Sequence, residues 1–350
     1  MTNRKFSSDN PAVLMEVCGT HTHELFRTGI RFSLPDWVRL ISGPGCPVCV
    51  TDDRDLAKII TMARTYSVTV LTFGDMLRVP TPYGSLATLR SEGKNVQIVY
   101  SPVDALSYAR EHQEEQCVFF AVGFETTMPA VAVAIQDTVN SRDVQNLYFL
   151  INHKKVIPAL DILLSSKRVN VDGLILPGHV SAIIGKDVYE PLLYKHHIPG
   201  VVTGFSKDQL AFGLNLLMHL VLHGQVSVLN AYPEVVRDGG NKEAQNLIDM
   251  YFEPTDAYWR GLGFIPQSAM KLKEKFSSVD AEKAFPVDDV ESQPIPGCKC
   301  ADVVIGATEP INCPLFGKVC TPRNPIGPCM VSSEGTCSAW FRYGGEAVHG

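Results

Sequence analysis

Residues 38–64 have the sequence VRLISGPGCPVCVTDDRDLAKIITMAR, which joins an apolar run, a loop rich in glycine and cysteine, and a helical pattern. Val38 to Ser42 is apolar and β-branched, as expected of a strand. Asp53 to Arg64 carries apolar residues at helical spacing. This strand–loop–helix order is typical of a βαβ unit, in which the loop lies at the carboxyl end of the strand.

The same order recurs along the chain. Further strands are predicted at Ala12–Val17, Ser67–Phe73, Cys117–Val122, Asn146–Ile151, Gly173–Leu176 and Gly200–Thr203, and further helices at Thr126–Gln136, Val156–Leu164 and Lys207–Leu222. Continuous apolar strands are buried on both faces, as in parallel sheets covered by helices. The sequence therefore predicts an α/β fold with two parallel-sheet units around a cleft.

The βαβ order ends after Tyr232, where a predicted helix from Lys242 to Phe252 gives way to irregular sequence rich in proline and glycine. We therefore predict three consecutive domains. They are an α/β domain at residues 1–104, a second at 105–230, and an irregular C-terminal domain at 231–350.

Charge and composition exclude several classes of protein. The 31 Lys and Arg residues and 37 Asp and Glu residues leave a net charge of −6, and there is no long run of either sign, which argues against binding of nucleic acid. The most apolar stretch, Leu210 to Leu222, is too short to span a membrane. Met1 to Asn10 lacks the apolar core of a secretory signal, so we expect a cytoplasmic protein. Its ten cysteines are then expected to be reduced rather than paired in disulfides.

Six of these cysteines lie between Cys298 and Cys337, in a segment of loops. We predict four thiolate ligands, namely Cys300, Cys313, Cys320 and Cys337. Four thiolates suit an iron–sulfur cluster or zinc, and the lack of tight Cys-Xaa-Xaa-Cys pairs in this segment favours the cluster. Cys298 lies only two residues before Cys300 and is an alternative first ligand, and Cys329 is surplus.

Cys46 and Cys49 form a Cys-Xaa-Xaa-Cys pair between a strand and a helix. A helix N-terminus favours the thiolate, so the pair is predicted to be a redox dithiol. The alternatives are half of a metal site and an inert structural pair.

Cys18 is followed by His21 and His23 at another strand end. A thiolate and two imidazoles could bind a metal or activate a nucleophile, or they could be satisfied polar groups at a turn.

Three further polar residues follow predicted strands: Asp75, Glu125 and His179. Ligands of open α/β sheets bind beyond the carboxyl ends of strands, so these loops could converge with the thiol loops on one cleft. Glu125 and His179 can equally belong to helix caps and turns. No standard phosphate-binding motif is present.

Eight motifs together resemble one known family over nearly the whole chain. They are Met15–His23 (MEVCGTHTH), Gly43–Val50 (GPGCPVCV), Thr72–Asp75 (TFGD), Gly123–Pro129 (GFETTMP), Pro177–Ser181 (PGHVS), Trp259–Gly263 (WRGLG), Cys313–Gly317 (CPLFG) and Met330–Gly335 (MVSSEG). The sequence is similar to the HypD family, scaffold proteins for the iron centre of nickel–iron hydrogenases. One departure is Thr20, where many members have glycine.

The resemblance implies a C-terminal [4Fe–4S] cluster and a complex with a small HypC-type chaperone, in which a transient iron acquires two cyanides and one carbon monoxide. Cyanide would come from a HypE–HypF pair. By position, Cys18 would hold the iron with a cysteine of the chaperone. Cys46 and Cys49 would be the redox pair. The remaining site residues would line the cleft: His21, His23 and Asp75 as further residues of the metal site, and Glu125 and His179 as catalytic residues.

Such a scaffold would turn over only through its partners, so the resemblance leaves open whether it is an enzyme. The rival interpretations are a stand-alone iron–sulfur thiol–disulfide oxidoreductase and a metal-stapled binding module with inert thiols.

Overall fold

The computed structural model describes residues 5–293 and 295–344. Its strands are β1 Ala12–Glu16, β2 Val38–Ser42, β3 Val68–Thr72, β4 Val96–Ile98, β5 Gln116–Gly123, β6 Leu147–Lys154, β7 Gly173–Pro177, β8 Gly200–Thr203, β9 Val228–Asn230, β10 Phe252–Trp259 and β11 Gly263–Leu272.

The α-helices are α1 Gly19–Arg27, α2 Pro47–Val50, α3 Asp53–Thr65, α4 Gly74–Leu77, α5 Leu86–Ser91, α6 Pro102–Glu111, α7 Met128–Asn140, α8 Val156–Ser165, α9 Gly178–Ile184, α10 Glu190–His196, α11 Lys207–Leu222, α12 Lys242–Tyr251, α13 Ala281–Ala284, α14 Cys300–Val304, α15 Pro328–Val331 and α16 Thr336–Tyr343. Short 3₁₀ helices lie at Ile30–Ser33, Asp187–Tyr189, Glu274–Val279 and Pro310–Asn312. None of the helices in the described part of the chain is long and apolar enough to cross a membrane.

The chain forms two compact units, each built from separated segments. Among the described residues, the first unit takes 5–50, 156–242 and 297–344, and the second takes 51–155 and 243–296 apart from residue 294. This division differs from the three consecutive domains predicted from the sequence. The reason is strand pairing: β1 pairs with β7, so the chain leaves the first unit after α2 and returns at α8.

The first unit contains a five-stranded, entirely parallel sheet in the order β2–β1–β7–β8–β9. Its core packs α11 against the sheet, with Leu14, Val201, Leu214 and Leu217 all buried. The α/β class and the parallel pairing predicted from continuous apolar strands are confirmed here. Parallel strands also bring their carboxyl ends to one edge of the sheet, which is where the motifs of this unit lie.

The second unit contains a six-stranded mixed sheet in the order β10–β11–β6–β5–β3–β4. Strands β3 to β6 pair in parallel, and β11 joins β6 in antiparallel fashion. Phe119 and Phe149 are fully buried neighbours in its centre.

The hairpin of β10 and β11 corrects the prediction that the chain is irregular after the helix α12. Strand β10 alternates half-buried and exposed residues and carries Pro254 and Asp256, so it lacks the apolar run that marks the other strands. It is an edge strand, where proline is tolerated. At the hairpin turn, Arg260 forms an ion pair with Asp53 at 2.7 Å, and both side chains are almost completely buried.

Candidate functional site

Four strands of the first unit lead into loops at one edge of its sheet: β1 into Cys18, β2 into Gly43, β7 into Gly178 and β8 into Gly204. The first two loops are in direct contact. The Gly19 N–H donates to the carbonyl of Gly45 at 3.0 Å, and a Cβ on Gly45 would lie 2.3 Å from the backbone nitrogen of Cys18. Only glycine allows this approach, which brings the Cys18 loop onto the loop that carries Cys46.

Cys18 lies at the N-terminus of α1 and is 7% exposed. Burial raises the pKa of its thiol to about 12, and the carboxylate of Glu334 adds to the rise. Glu334 accepts a hydrogen bond from the Thr20 hydroxyl at 2.7 Å. Thr20, the departure from the family pattern, thus ties the Cys18 loop to the cysteine-rich C-terminal segment. At neutral pH the Cys18 thiol is protonated.

Two carboxylic acids beside Cys18 were missed by sequence reasoning. Glu334 lay within a quoted motif, but nothing in its spacing connects it to Cys18. Glu16 is 1% exposed and accepts hydrogen bonds from the Thr22 hydroxyl and from the Cys18 N–H. Burial raises the pKa of Glu16 to about 8, against the lowering effect of these bonds. A glutamate inside an apolar strand was the available signal, because such a residue is seldom buried without a role.

His21 and His179 lie around the ring of Phe205, which follows β8. The centroids of Phe205 and His179 are 3.9 Å apart, and those of Phe205 and His21 are 4.7 Å apart. His21 Nε2 lies 3.1 Å from the carbonyl of Gly204, so this nitrogen carries the proton. Burial lowers the pKa of His21 to about 4 and also lowers that of His179. Both rings are neutral at physiological pH.

His23 faces a different set of partners from His21. Its Nδ1 lies 3.3 Å from the carbonyl of Ser333, and its ring packs edge-on against Tyr343. Within residues 5–293 and 295–344, no three Cys, His, Asp or Glu side chains form a group that could hold a metal ion. The proposed iron-binding set of Cys18, His21, His23 and Asp75 therefore stays a prediction.

Asp75 and Glu125 belong to the second unit. They follow β3 and β5, which are neighbours in the sheet, so both lie at the same sheet edge. Asp75 is exposed in the first turn of α4, whereas Glu125 is 6% exposed. Cys117 is fully buried on β5 and is a core residue of the second unit.

The thiols of Cys46 and Cys49 are in contact, with their Sγ atoms 2.8 Å apart. Both are buried around the short helix α2. Burial raises the pKa of Cys49 well above its ordinary value, while a hydrogen bond with Cys329 opposes the rise. This direction is opposite to the lowering expected from a helix N-terminus, because removal from water outweighs the field of a single helical turn. The pair favours the dithiol or disulfide form over a free thiolate.

A cavity in the C-terminal segment is lined by all six cysteines of that segment, together with Val303, Phe316, Gly327 and Met330. None of these neighbours contributes a charged or polar side chain. The wall thus offers sulfur donors in an apolar surrounding, a donor set that suits an iron–sulfur cluster.

The six cysteines divide by their contacts. Cys300 lies against Cys329, with 3.1 Å between their Sγ atoms. The hydrogen bond to Cys300 lowers the pKa of Cys329. The net shift is upward, because hydrogen bonds with Cys337 and Cys49, together with burial, raise this pKa. Cys329 therefore contacts Cys49, Cys300 and Cys337, and one path of thiols, here called the thiol chain, runs from Cys46 through Cys49 and Cys329 to Cys300.

Cys298 and Cys300 line the same cavity but differ in their thiol neighbours. Burial raises the pKa of Cys320, and the nearby thiols of Cys337 and Cys298 add to the rise. A Cβ on Gly327 would lie 2.9 Å from the Sγ of Cys298 and 3.2 Å from the Cβ of Cys300, so glycine leaves room for both residues beside the cavity. Cys298 thus shares the surroundings of Cys320 and Cys337.

Comparison with known proteins agrees with these motifs. The family model HypD, described as "Hydrogenase formation hypA family", matches residues 2–344. The chain belongs to the HypD family. It is 41% identical to the hydrogenase maturation factor HypD of Escherichia coli K12, over 97% of this chain and 91% of that protein. It is also 41% identical to that of Azotobacter vinelandii (95% and 89%) and 38% identical to that of Cupriavidus necator (94% and 89%). The family predicted from the motifs is confirmed, and the protein has a role in hydrogenase maturation.

Proposed function

We propose that this HypD-family chain is a scaffold and thiol-redox protein for assembly of the Fe(CN)2CO group of nickel–iron hydrogenase. It would hold the iron, its substrate, together with a HypC-type chaperone and receive cyanide through a HypE–HypF pair. The observation that carries the redox part is the chain of four buried thiols from Cys46 to Cys300. Four thiols in successive contact can exchange disulfides.

We assign the [4Fe–4S] cluster to Cys298, Cys313, Cys320 and Cys337. The sequence favoured Cys300 as the first ligand, but the Sγ of Cys300 is in contact with that of Cys329. A disulfide between Cys300 and Cys329 would leave Cys298, which lies near Cys320, as the first ligand, and Cys337, which also contacts Cys329, as the fourth. When bound, the cluster supplies single electrons beside the thiol chain.

The thiol chain can move a disulfide from one pair to the other. The Cys329 thiolate attacks Cys49 of a Cys46–Cys49 disulfide, and a Cys49–Cys329 disulfide forms as the Cys46 thiolate leaves. The Cys300 thiolate then attacks Cys329 and releases the Cys49 thiolate. The products are a Cys300–Cys329 disulfide and a reduced Cys46–Cys49 pair. Because the thiolates that leave take up the protons that the attacking thiols lose, the exchange consumes no further reductant.

Cys18 is the proposed protein ligand of the iron. A thiol must lose its proton to bind a metal, and burial keeps the Cys18 thiol protonated until iron arrives. The carboxylate of Glu334, which lies beside Cys18, is placed to accept that proton. His21 and His179, both neutral, complete the wall of the same sheet edge.

The test is Cys18→Ala in the full chain, with Cys117→Ala as the matched loss of a buried core cysteine. Copurified with its small chaperone, the Cys18 variant should keep iron–sulfur absorption but lack the infrared bands of cyanide and carbon monoxide. The Cys117 variant should show both. Bands of normal intensity in Cys18→Ala would remove Cys18 from iron binding.

The rival stand-alone oxidoreductase makes a different prediction: it reduces a simple disulfide at full rate without any partner. For the redox part, mass spectrometry across graded redox buffers should show the Cys46–Cys49 pair closing at roughly −180 to −300 mV. A pair that stays open at every potential would contradict the exchange.

A further inference from the structure

The C-terminal end of α11 carries two histidines that the proposed assembly of the iron group does not use. His219 and His223 are four residues apart, so they lie on the same face of the helix. Both are exposed, and the centroids of their rings are 4.1 Å apart with the ring planes tilted by 35°. Leu217 and Val221, on the opposite side of the helix, pack into the core. The two rings are therefore free of the packing that fixes the helix.

The hydrogen bonding of His223 leaves one of its ring nitrogens available to a ligand. Its Nδ1 lies 2.8 Å from the carbonyl of His219, which can only accept, so Nδ1 carries a proton. In a neutral ring, Nε2 then has a lone pair. Histidines that bind metals commonly donate their second ring N–H to a carbonyl in this way. In the described part of the chain, no residue outside this pair hydrogen-bonds either ring.

The charge around the pair favours a cation. The carbonyl groups at the end of a long helix carry a partial negative charge, and α11 is 16 residues long. The sequence from residue 208 to residue 236 contains no lysine or arginine. A metal ion at the end of α11 thus meets no ammonium or guanidinium group from this segment.

The pair lies at the edge of the sheet opposite to the thiol loops. Helix α11 joins the parallel strands β8 and β9, so it runs back along the sheet from the carboxyl edge to the amino edge. Its length is roughly 24 Å. Gly173, the first residue of β7, confirms this direction, since a Cβ there would lie 2.9 Å from Leu217 near the end of α11. The histidine pair is therefore separate from the proposed iron site.

We propose that His219 and His223 form a surface site for a divalent ion of the late first-row transition metals, with Nε2 of each ring as a ligand. Two histidines four residues apart on a helix are a recurrent pair of zinc ligands, and imidazole also suits Ni²⁺ and Cu²⁺. Because both rings are exposed, they can turn until each Nε2 lies about 2.0–2.1 Å from one ion. Water or a donor from another molecule completes the coordination, so the ion exchanges readily.

The test is equilibrium dialysis of the purified full chain, with its cluster, against Ni²⁺ and without oxygen, followed by measurement of the nickel bound per chain. Ni²⁺ is the probe because thiolates compete strongly for Zn²⁺ and because Cu²⁺ oxidises thiols. The parent should bind one more Ni²⁺ per chain than either His219→Gln or His223→Gln, since a single imidazole holds the ion only weakly. Nickel bound by cysteines is the same in all three proteins and cancels in the difference.

The matched control is His197→Gln, the same substitution at an exposed histidine of the same unit. It should bind as much nickel as the parent. All three substitutions are at the surface and should leave the melting temperature unchanged, so a loss of nickel will not reflect unfolding. If either His219→Gln or His223→Gln binds as much nickel as the parent, or if His197→Gln loses as much as they do, the proposal is wrong. Neither outcome bears on the proposed iron assembly, because the assay measures binding without hydrogenase maturation.

Discussion

Gly45→Ala should disrupt the site more than its small size suggests. A Cβ at Gly45 would lie 2.3 Å from the nitrogen of Cys18, 2.4 Å from the carbonyl carbon of Val17 and 2.5 Å from the Cα of Cys18. Ordinary contacts begin at 3.4 Å, so the two loops must separate by roughly 1 Å. All three atoms are backbone, and no side-chain rotation can relieve the clash.

The expected cost is about 2–4 kcal/mol in the free energy of unfolding. Overpacking of a well-packed region costs about 1–3 kcal/mol. The separation also strains the hydrogen bond from Gly19 to the Gly45 carbonyl, which is worth about 1 kcal/mol. Because the same movement takes Cys18 away from the loop of Cys46, hydrogenase maturation should fall even where the variant remains folded.

The assay is urea unfolding of the purified protein, with Gly74→Ala as the matched control. A Cβ at Gly74 would meet only Ile98, at an ordinary 3.6 Å, and the residue begins α4 without strained backbone. The control should stay within about 0.5 kcal/mol of the parent. Equal stability of Gly45→Ala and Gly74→Ala would refute the close contact between the two thiol loops.

Three further predictions concern buried ionisable groups. Between about pH 5 and pH 8, the free energy of unfolding of the parent should fall by roughly 2–4 kcal/mol relative to that of Glu16→Gln. The reason is that the folded pKa of Glu16, about 8, lies above the unfolded value, so stability is lost as pH rises. Urea titrations of both proteins check this, and the same pH dependence in both would contradict it. Arg260→Leu should lower the free energy of unfolding by about 3–5 kcal/mol, because Asp53 is then buried without its ion pair. A loss below about 1 kcal/mol in urea unfolding would contradict this prediction. At about pH 8, iodoacetamide should modify Cys18 at least about 100-fold more slowly than a free thiol, as mass spectrometry would show, and a rate near that of free cysteine would mean that the thiol is neither buried nor protonated.

The central α/β elements were predictable because their signal is local. Strand β8 and helix α11 have the predicted bounds, and β2 does as well. Each is an apolar run or a helical repeat bounded by turn residues. The two strands are continuous apolar runs because they are buried on both faces of the sheet. The convergence of loops within the first unit also followed from parallel pairing.

Other features depend on contacts that spacing does not encode. The β10–β11 hairpin was missed because its edge strand is half exposed and carries proline. The pKa shift predicted for Cys49 had the wrong direction. The position of a helix can be read from the sequence, whereas burial, which raises this pKa, depends on the whole fold. The sequence also does not show which thiol of the Cys298–Cys300 doublet lies against Cys329, because that contact depends on the fold.

The most direct test of the account is the iron and sulfide content of Cys298→Ala and Cys300→Ala, purified without oxygen. The assignment predicts that Cys300→Ala keeps about four iron and four sulfide per chain, with brown colour, while Cys298→Ala loses them. Loss of the cluster in Cys300→Ala with retention in Cys298→Ala would contradict the division into a cluster set and a thiol chain.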